Sequence, residues 1–176
     1  MGSPRLYGNT NYLTDIALDA AKKAGAITEK IILNQYKIHA CDGHLNCASL
    51  KKCAHHDDAN RILDKFREAD AVILATPVYY YNVSAQMKAF IDRNYFLYKH
   101  EIPYKARAAG IIVVAEESGL EDTVRTLNFL LKEMKVPEDK RLIVSDFAFK
   151  PDDAKNNAAL SEAARKMGQQ LAECLG

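Results

Sequence analysis

What the chain lacks first is a charge imbalance. Its 24 Lys and Arg residues stand against 23 Asp and Glu, a formal net charge of +1, and no segment gathers the basic residues into a stripe. That argues against a nucleic-acid interface. Long apolar runs are missing too. None approaches the roughly 18 residues of a membrane span, so no membrane partner is expected. The N-terminal residues carry no apolar core of the kind a secretory signal needs. The expected compartment is therefore the cytoplasm, where thiols stay reduced. The four cysteines then read as ligands, redox groups or packing before they read as disulfides. Repeats, low-complexity tracts and linkers are absent as well. With 176 residues, 48% of them hydrophobic, the chain reads as one domain over 1–176 with enough length for a full core. No side chain stands out as a catalytic acid, base or nucleophile.

What is present is an alternation of two patterns. Ala71-Val72-Ile73-Leu74-Ala75 is an uninterrupted apolar run with turn chemistry directly after it, as in a strand buried on both faces. From Val83 the period changes, and Val83, Met87, Phe90 and Ile91 share one helical face. The loop between them, Thr76 to Asn82, carries Tyr79-Tyr80-Tyr81. Tyrosine offers a flat apolar face and a polar tip, which suits a planar ring. Gly110 to Ala115 is a second such strand and runs into Glu116-Glu117-Ser118-Gly119. Ser118 and Glu121 have the spacing of a capping box, ahead of a helix whose inner face is Leu120, Val124, Leu127, Leu131 and Met134. Leu142 to Ser145 is a last short strand. The helix after Pro151 turns Leu160, Ala164, Met167, Leu171 and Leu175 inward.

Upstream, Leu13, Ile16, Ala17, Ala20 and Ala24 follow helical spacing up to Gly25. Ala26 to Asn34 alternates like a half-exposed edge strand. Asp57 or Asp58 is placed to cap a helix with Ala59, Ile62, Leu63 and Phe66 inward. Strands alternate with helices to the end, which predicts a doubly wound α/β fold with a parallel sheet. Three loops, 2–10, 76–82 and 116–119, then meet at the carboxyl edge, where such sheets bind ligands. In the first, Gly2-Ser3-Pro4-Arg5 and Gly8-Asn9-Thr10 lead into a helix, so N–H groups, hydroxyls and the helix dipole can cradle a phosphate, with Arg5 adding charge. A polar loop before a capped helix accounts for the same residues. With the tyrosines, the cradle implies a phosphorylated planar cofactor.

These two motifs, together with Ser84-Ala85-Gln86-Met87-Lys88-Ala89-Phe90-Ile91-Asp92-Arg93, resemble the flavodoxin-like NAD(P)H-dependent FMN reductases. The cysteine-bearing loop, Asp57-Asp58 and Glu68-Ala69-Asp70 place the resemblance nearest the iron–sulfur flavoprotein branch. The resemblance implies a sheet of order 2-1-3-4-5, bound FMN, and NAD(P)H as co-substrate. It implies phosphate contacts from Ser3, Arg5, Asn9 and Thr10. Pro77, Val78, Tyr79, Tyr80 and Asn82 would line the ring and ribityl chain, and Glu117, Ser118 and Gly119 would close the far side. It also implies a homo-oligomer, a dimer or tetramer, to which the aromatic stretch Asn94 to Tyr104 would contribute.

Two departures matter. The family has a strand before its phosphate loop, whereas this sequence opens on the loop itself. A central strand absent from the sheet predicts a start upstream of Met1, or a gap closed by rearranged pairing or by exchange with another chain. Second, the family's cysteine cluster has a histidine at one position here: Cys41, His44, Cys47 and Cys53. Such a set suits a 4Fe–4S cluster with one imidazole ligand, zinc, or no metal with the thiols as packing. The leading function is an oxidoreductase passing electrons from NAD(P)H through flavin to a small acceptor, such as another flavin or a quinone. The alternatives are an iron–sulfur flavoprotein carrying electrons on the 41–53 loop, and a flavin- or metal-stabilised interaction module without turnover.

Overall fold

The computed structural model describes residues 1–175. Three parallel strands make the frame: β1 (Ala71–Tyr79), β3 (Ala108–Ala115) and β4 (Arg141–Phe147), with a two-residue strand β2 (Asn82–Val83) antiparallel to the end of β1. The sheet order is β2-β1-β3-β4. β3 is buried at every position, as its continuous apolar sequence demands. One face of the sheet is covered by α1 (Asn9–Lys23) and α7 (Ala158–Glu173), which pack Leu13, Ala17, Leu160, Ala164, Met167 and Leu171 against Ile112 and Val144. The other face carries α2 (Ala59–Glu68), α3 (Ala85–Arg93), α4 (Tyr95–Lys99) and α5 (Leu120–Glu133). Ile62, Leu63, Met87, Phe90, Leu127 and Leu131 pack there against Val72, Leu74, Ile111 and Val113. A one-turn helix α6 (Asp153–Asn156) precedes α7. No described helix is long and apolar enough to cross a membrane.

β1, β3 and β4 correspond to strands 3, 4 and 5 of the expected 2-1-3-4-5 order. The expected strand over 26–34 is corrected. Ala26 to Ile32 belongs to no strand, and Leu33–Gln35 forms a single 3-10 turn. Among the described residues, Met1 and Gly2 lie between this segment and β1. The Met1 amino group donates to Ile31 O at 2.7 Å, Leu33 N–H donates to Met1 O at 3.0 Å, and Gly2 N–H donates to Ala75 O at 2.7 Å. Two residues can bridge the segment to β1 but cannot propagate a ladder. Burial, with Lys30 nearby, pushes the Met1 amino group down to about 5.

Two local corrections concern helix starts. Ser118 and Glu121 do not form a capping box; α5 starts after Gly119, whose φ of 82° places it in the left-handed region. Asp58 stands at the N-cap of α2 without a side-chain cap bond, its carboxylate accepting from Lys37 N–H at 2.9 Å instead. Side-chain caps do form at Ser84 of α3, whose Oγ accepts from Met87 N–H at 3.3 Å, and at Asn157 of α7, whose Oδ1 accepts from Leu160 N–H at 3.0 Å.

Candidate active site at the sheet edge

The first loop ends on an open helix terminus. Gly8 is the N-cap of α1 and has no side chain to cap with, so the N–H groups of Asn9, Thr10 and Asn11 precede the first intrahelical bond, Tyr12 N–H to Gly8 O at 3.0 Å. Ser3 and Thr10 are buried beside them and Arg5 is exposed. Ser3 Oγ accepts from Arg5 N–H at 3.2 Å, which folds the loop back on itself. Asn9 serves differently from expectation. Its Nδ2 donates to Lys150 O at 2.8 Å and its Oδ1 accepts from Ala154 N–H at 3.0 Å. Its side chain therefore ties α1 to the segment after β4, leaving its backbone N–H at the helix terminus.

The second loop is tied to the first by one buried hydroxyl and closed on itself by another. Ser84 Oγ donates to Gly2 O at 2.6 Å, and Thr76 Oγ1 accepts from Ser84 N–H at 3.1 Å. A Cβ on Gly2 would lie 2.8 Å from Met87 Cβ and 2.9 Å from Ser84 Oγ, so only glycine lets the chain pass here. β1 runs further than its apolar core, through Pro77 and Val78, and folds back as a hairpin pairing Val78 with Val83 and Tyr79 with Asn82. The two turn residues are Tyr80 and Tyr81, with φ of 48° and 68°. Two positive φ values define a type I′ turn, whose usual occupants are Asn and Gly. Bulky residues there are strained. Tyr80 is 96% exposed and Tyr81 61% exposed, so packing does not impose the conformation.

The third loop closes on this hairpin. Gly119 sits so near it that a Cβ would lie 2.8 Å from Val78 Cγ1 and 2.9 Å from Tyr81 Cα. Glu117 and Ser118 are exposed beside it. The three loops thus meet at one edge. Sequence reasoning missed three contributors. Thr76 and Ser84 fasten the loops, and their only signal was their place between strand and helix. Tyr81 had been passed over between two assigned neighbours. Segment 147–153 also reaches the edge through Asn9, with Phe149 and Lys150 N–H donating to Asp153 Oδ2 at 2.9 and 2.7 Å and with Phe149 exposed.

Away from the edge lies the cysteine segment. Cys47 and Cys53 are buried in the apolar cluster under α2 and α3, and Cys41 is half-buried. The structure brings His44 Nε2 within 3.9 Å of Cys47 Sγ. Among the described residues, no three His, Cys, Asp or Glu side chains converge at metal distance. The donor types suit a cluster or zinc, but their arrangement does not gather them, so no electron step is routed through this segment here. Burial pushes the Cys47 thiol up, and the neighbouring Cys53 and Cys41 add to that.

The model of one family, described as NADPH-dependent FMN reductase, matches residues 1–148. The chain belongs to that family. Within it, the chain is 41% identical over 133 residues to an iron-sulfur flavoprotein of Archaeoglobus fulgidus, covering 75% of this chain and 60% of that protein. It is 35% identical over 179 residues to an iron-sulfur flavoprotein of Methanocaldococcus jannaschii, covering 98% of this chain and 93% of the other. The match thus spans less than two thirds of the Archaeoglobus protein and nearly all of the Methanocaldococcus one. Among solved structures, an NAD(P)H:quinone oxidoreductase from Methanothermobacter marburgensis superposes with a TM-score of 0.68 at 14% identity, over 97% of this chain and 92% of that one. An FMN-dependent NADH-azoreductase from Bacillus anthracis, solved in complex with FMN, gives 0.62 at 14% identity, over 94% and 90%. These two establish the flavodoxin-like fold. As an FMN reductase family member the chain is an FMN-dependent oxidoreductase with NAD(P)H as co-substrate. Its sheet edge fits that cofactor: an uncapped helix terminus for a phosphate and exposed tyrosine faces.

Proposed function

We propose that this chain binds FMN across the three converging loops and passes electrons from NAD(P)H to a small planar acceptor of the quinone or flavin class. One observation carries the site assignment: an uncapped α1 terminus whose loop Ser84 fastens beside a strained tyrosine hairpin, with Gly119 of the third loop packed on that hairpin. The N–H groups of residues 9–11, with the Ser3 and Thr10 hydroxyls and the Arg5 charge, hold the phosphate. Pro77, Val78, Tyr79, Tyr80 and Asn82 wall the ring and ribityl chain, and Glu117, Ser118 and Gly119 close the opposite side. When bound, FMN would supply hydride acceptance from a nicotinamide and onward transfer of electrons singly or in pairs. The protein's own residues orient it, exclude water from one face and leave the tyrosine side open to the second substrate. No residue of the chain has to move a proton for this. Steady-state oxidation of NADH and NADPH by the FMN-loaded protein with a quinone tests the reading; a folded, flavin-loaded protein that leaves both nucleotides unoxidised refutes it.

A second reading adds a 4Fe–4S cluster held by Cys41, His44, Cys47 and Cys53. It is supported by that donor set and by the relatives named iron-sulfur flavoproteins. It requires the 41–53 segment to draw its ligands together on binding iron. We further infer a cytoplasmic protein that assembles as a homodimer or tetramer. The aromatic argument for assembly narrows to Tyr95 and Tyr98, which stack at 6.0 Å and stay exposed. Phe96 is instead buried, and Tyr104 donates its hydroxyl to Asn94 Oδ1 at 2.9 Å.

A further inference from the structure

Asn9, the first residue of α1, commits both polar atoms of its side chain to a segment that follows β4. Nδ2 donates to Lys150 O at 2.8 Å, and Oδ1 accepts from Ala154 N–H at 3.0 Å. That N–H belongs to the first turn of α6, where no intrahelical acceptor exists, so Asn9 supplies the acceptor. The segment is also held from within. Asp153 Oδ2 accepts from Phe149 N–H at 2.9 Å and from Lys150 N–H at 2.7 Å. Its far end is anchored in the core: Ala154 is buried in the cluster that holds Leu13 and Ala17 of α1, and its carbonyl accepts from Ser161 Oγ of α7 at 3.1 Å. Phe149 and Lys150 stay exposed. Residues 148–154 therefore form a fourth loop at the sheet edge, fastened to α1 at Asn9.

The same residue stands at the phosphate end of the site. Gly8 gives α1 no side-chain cap, and helix ends without partners fray. A phosphate that had to order a frayed turn would lose that cost from its affinity; a turn already in place spares it. The two Asn9 bonds supply such an anchor from outside the helix, and they leave the N–H groups of residues 9–11 free for a ligand.

We propose that Asn9 is a positioning residue for the cofactor phosphate: through its carboxamide the 148–154 loop holds the first turn of α1, so order in the loop and affinity for the phosphate rise and fall together. The inference rests on the FMN reading of the sheet edge. Coupling of this kind is reciprocal. A phosphate that orders residues 9–11 also quiets residues 148–154, and a loosened loop binds phosphate less well. Contacts to the ring and ribityl chain, which belong to the other loops, lie outside the coupling.

Hydrogen exchange read by mass spectrometry and fluorescence titration, both on the full-length chain, test this. In the wild type, FMN should slow exchange over 148–156, and riboflavin, which lacks the phosphate, should leave it unchanged. In flavin-free Asn9→Ala, exchange over 148–156 should quicken while β3 peptides keep their rates, the sign of an intact fold. FMN affinity in that variant should fall about tenfold, the scale of one net hydrogen bond, with riboflavin affinity unchanged. Asp153→Ala carries the test to a residue off α1. Loss of its negative charge alone would favour a phosphate, so weaker FMN binding supports the loop's part and tighter binding overturns it. Equal losses for FMN and riboflavin in Asn9→Ala make the residue a structural tie only and overturn the positioning role, as does an unchanged FMN affinity. Wild-type exchange over 148–156 that FMN does not alter overturns the coupling. Wild-type protein that binds neither flavin refutes the FMN reading and the proposal with it; the other failures arise only where FMN binds, so the two are told apart.

Discussion

Replacing Tyr80-Tyr81 by Asn-Gly should stabilise the protein and impair it. Both tyrosines hold positive φ, 48° and 68°, at the centre of a two-residue hairpin. The left-handed region costs an ordinary L-residue roughly 1–2 kcal/mol, and Asn-Gly is the pair that a type I′ turn prefers. What the substitution gives up is small. Tyr80 is 96% exposed and Tyr81 61% exposed. Their edge-to-face contact, with centroids 5.7 Å apart, is of the kind worth about 0.5–1.5 kcal/mol. The net gain is about 1–2 kcal/mol, which for a domain of this size raises Tm by roughly 2–8 °C. Scanning calorimetry of the flavin-free proteins measures that gain without interference from ligand. The same variant should show a raised KM for a quinone acceptor, because the turn's strain is kept where the second substrate enters. A lower Tm in the variant would refute the strain argument, and an unchanged KM with a higher Tm would separate the strain from the function.

Other expectations follow from the same geometry. Arg5→Ala with Thr10→Ala removes one charge and one hydroxyl from the phosphate cradle. It should weaken FMN binding by roughly 10- to 100-fold, or about 1–3 kcal/mol, in a fluorescence titration with the fold intact by circular dichroism. Gly119→Ala places a Cβ 2.8 Å from Val78 Cγ1 at a φ of 82°, so urea unfolding should register a loss of about 1–3 kcal/mol with flavin affinity falling alongside. The Asp57 carboxyl pays for burial but is held at about 2, below its ordinary 3.8, by the Arg93 guanidinium and by the His39 and Ala59 N–H groups. A depressed carboxyl pKa stabilises above the unfolded value and is lost as pH falls. The protein should therefore lose about 2 kcal/mol between pH 3.8 and about 2. Asp57→Asn should flatten that part of the stability curve.

The elements legible in the sequence were those with unbroken local patterns. β3 and the core of β1 were continuous apolar runs, and α1, α5 and α7 showed a clean 3.6-residue period, so the layers and the meeting of loops 2–10, 76–82 and 116–119 were visible. What escaped depends on partners distant in the chain. The alternation over 26–34 looked like a strand, yet among the described residues its bonds toward β1 run through Met1, with Gly2 bonding β1 itself. The turn at Tyr80-Tyr81 carries no Asn or Gly to announce it. The box at Ser118 and Glu121 had the right spacing, but the close approach of Gly119 to Tyr81 set a different start for α5. Asp57 does accept from the first N–H of α2, at Ala59, as its place before the helix suggested; its bond to Arg93, which joins residues 36 apart, had no local signal. The Asn9 side chain's bonds to Lys150 and Ala154 cross most of the chain and had no local signal.

The measurement that bears most directly on the central claim is titration of the flavin-free protein with FMN, following flavin fluorescence and the visible spectrum. Three loops that hold one phosphate and one ring predict saturable quenching and a spectral shift at one FMN per chain, with micromolar affinity or better, and with riboflavin, which lacks the phosphate, binding much more weakly. A well-folded protein that leaves the fluorescence and spectrum of FMN unchanged at tens of micromolar would contradict the account.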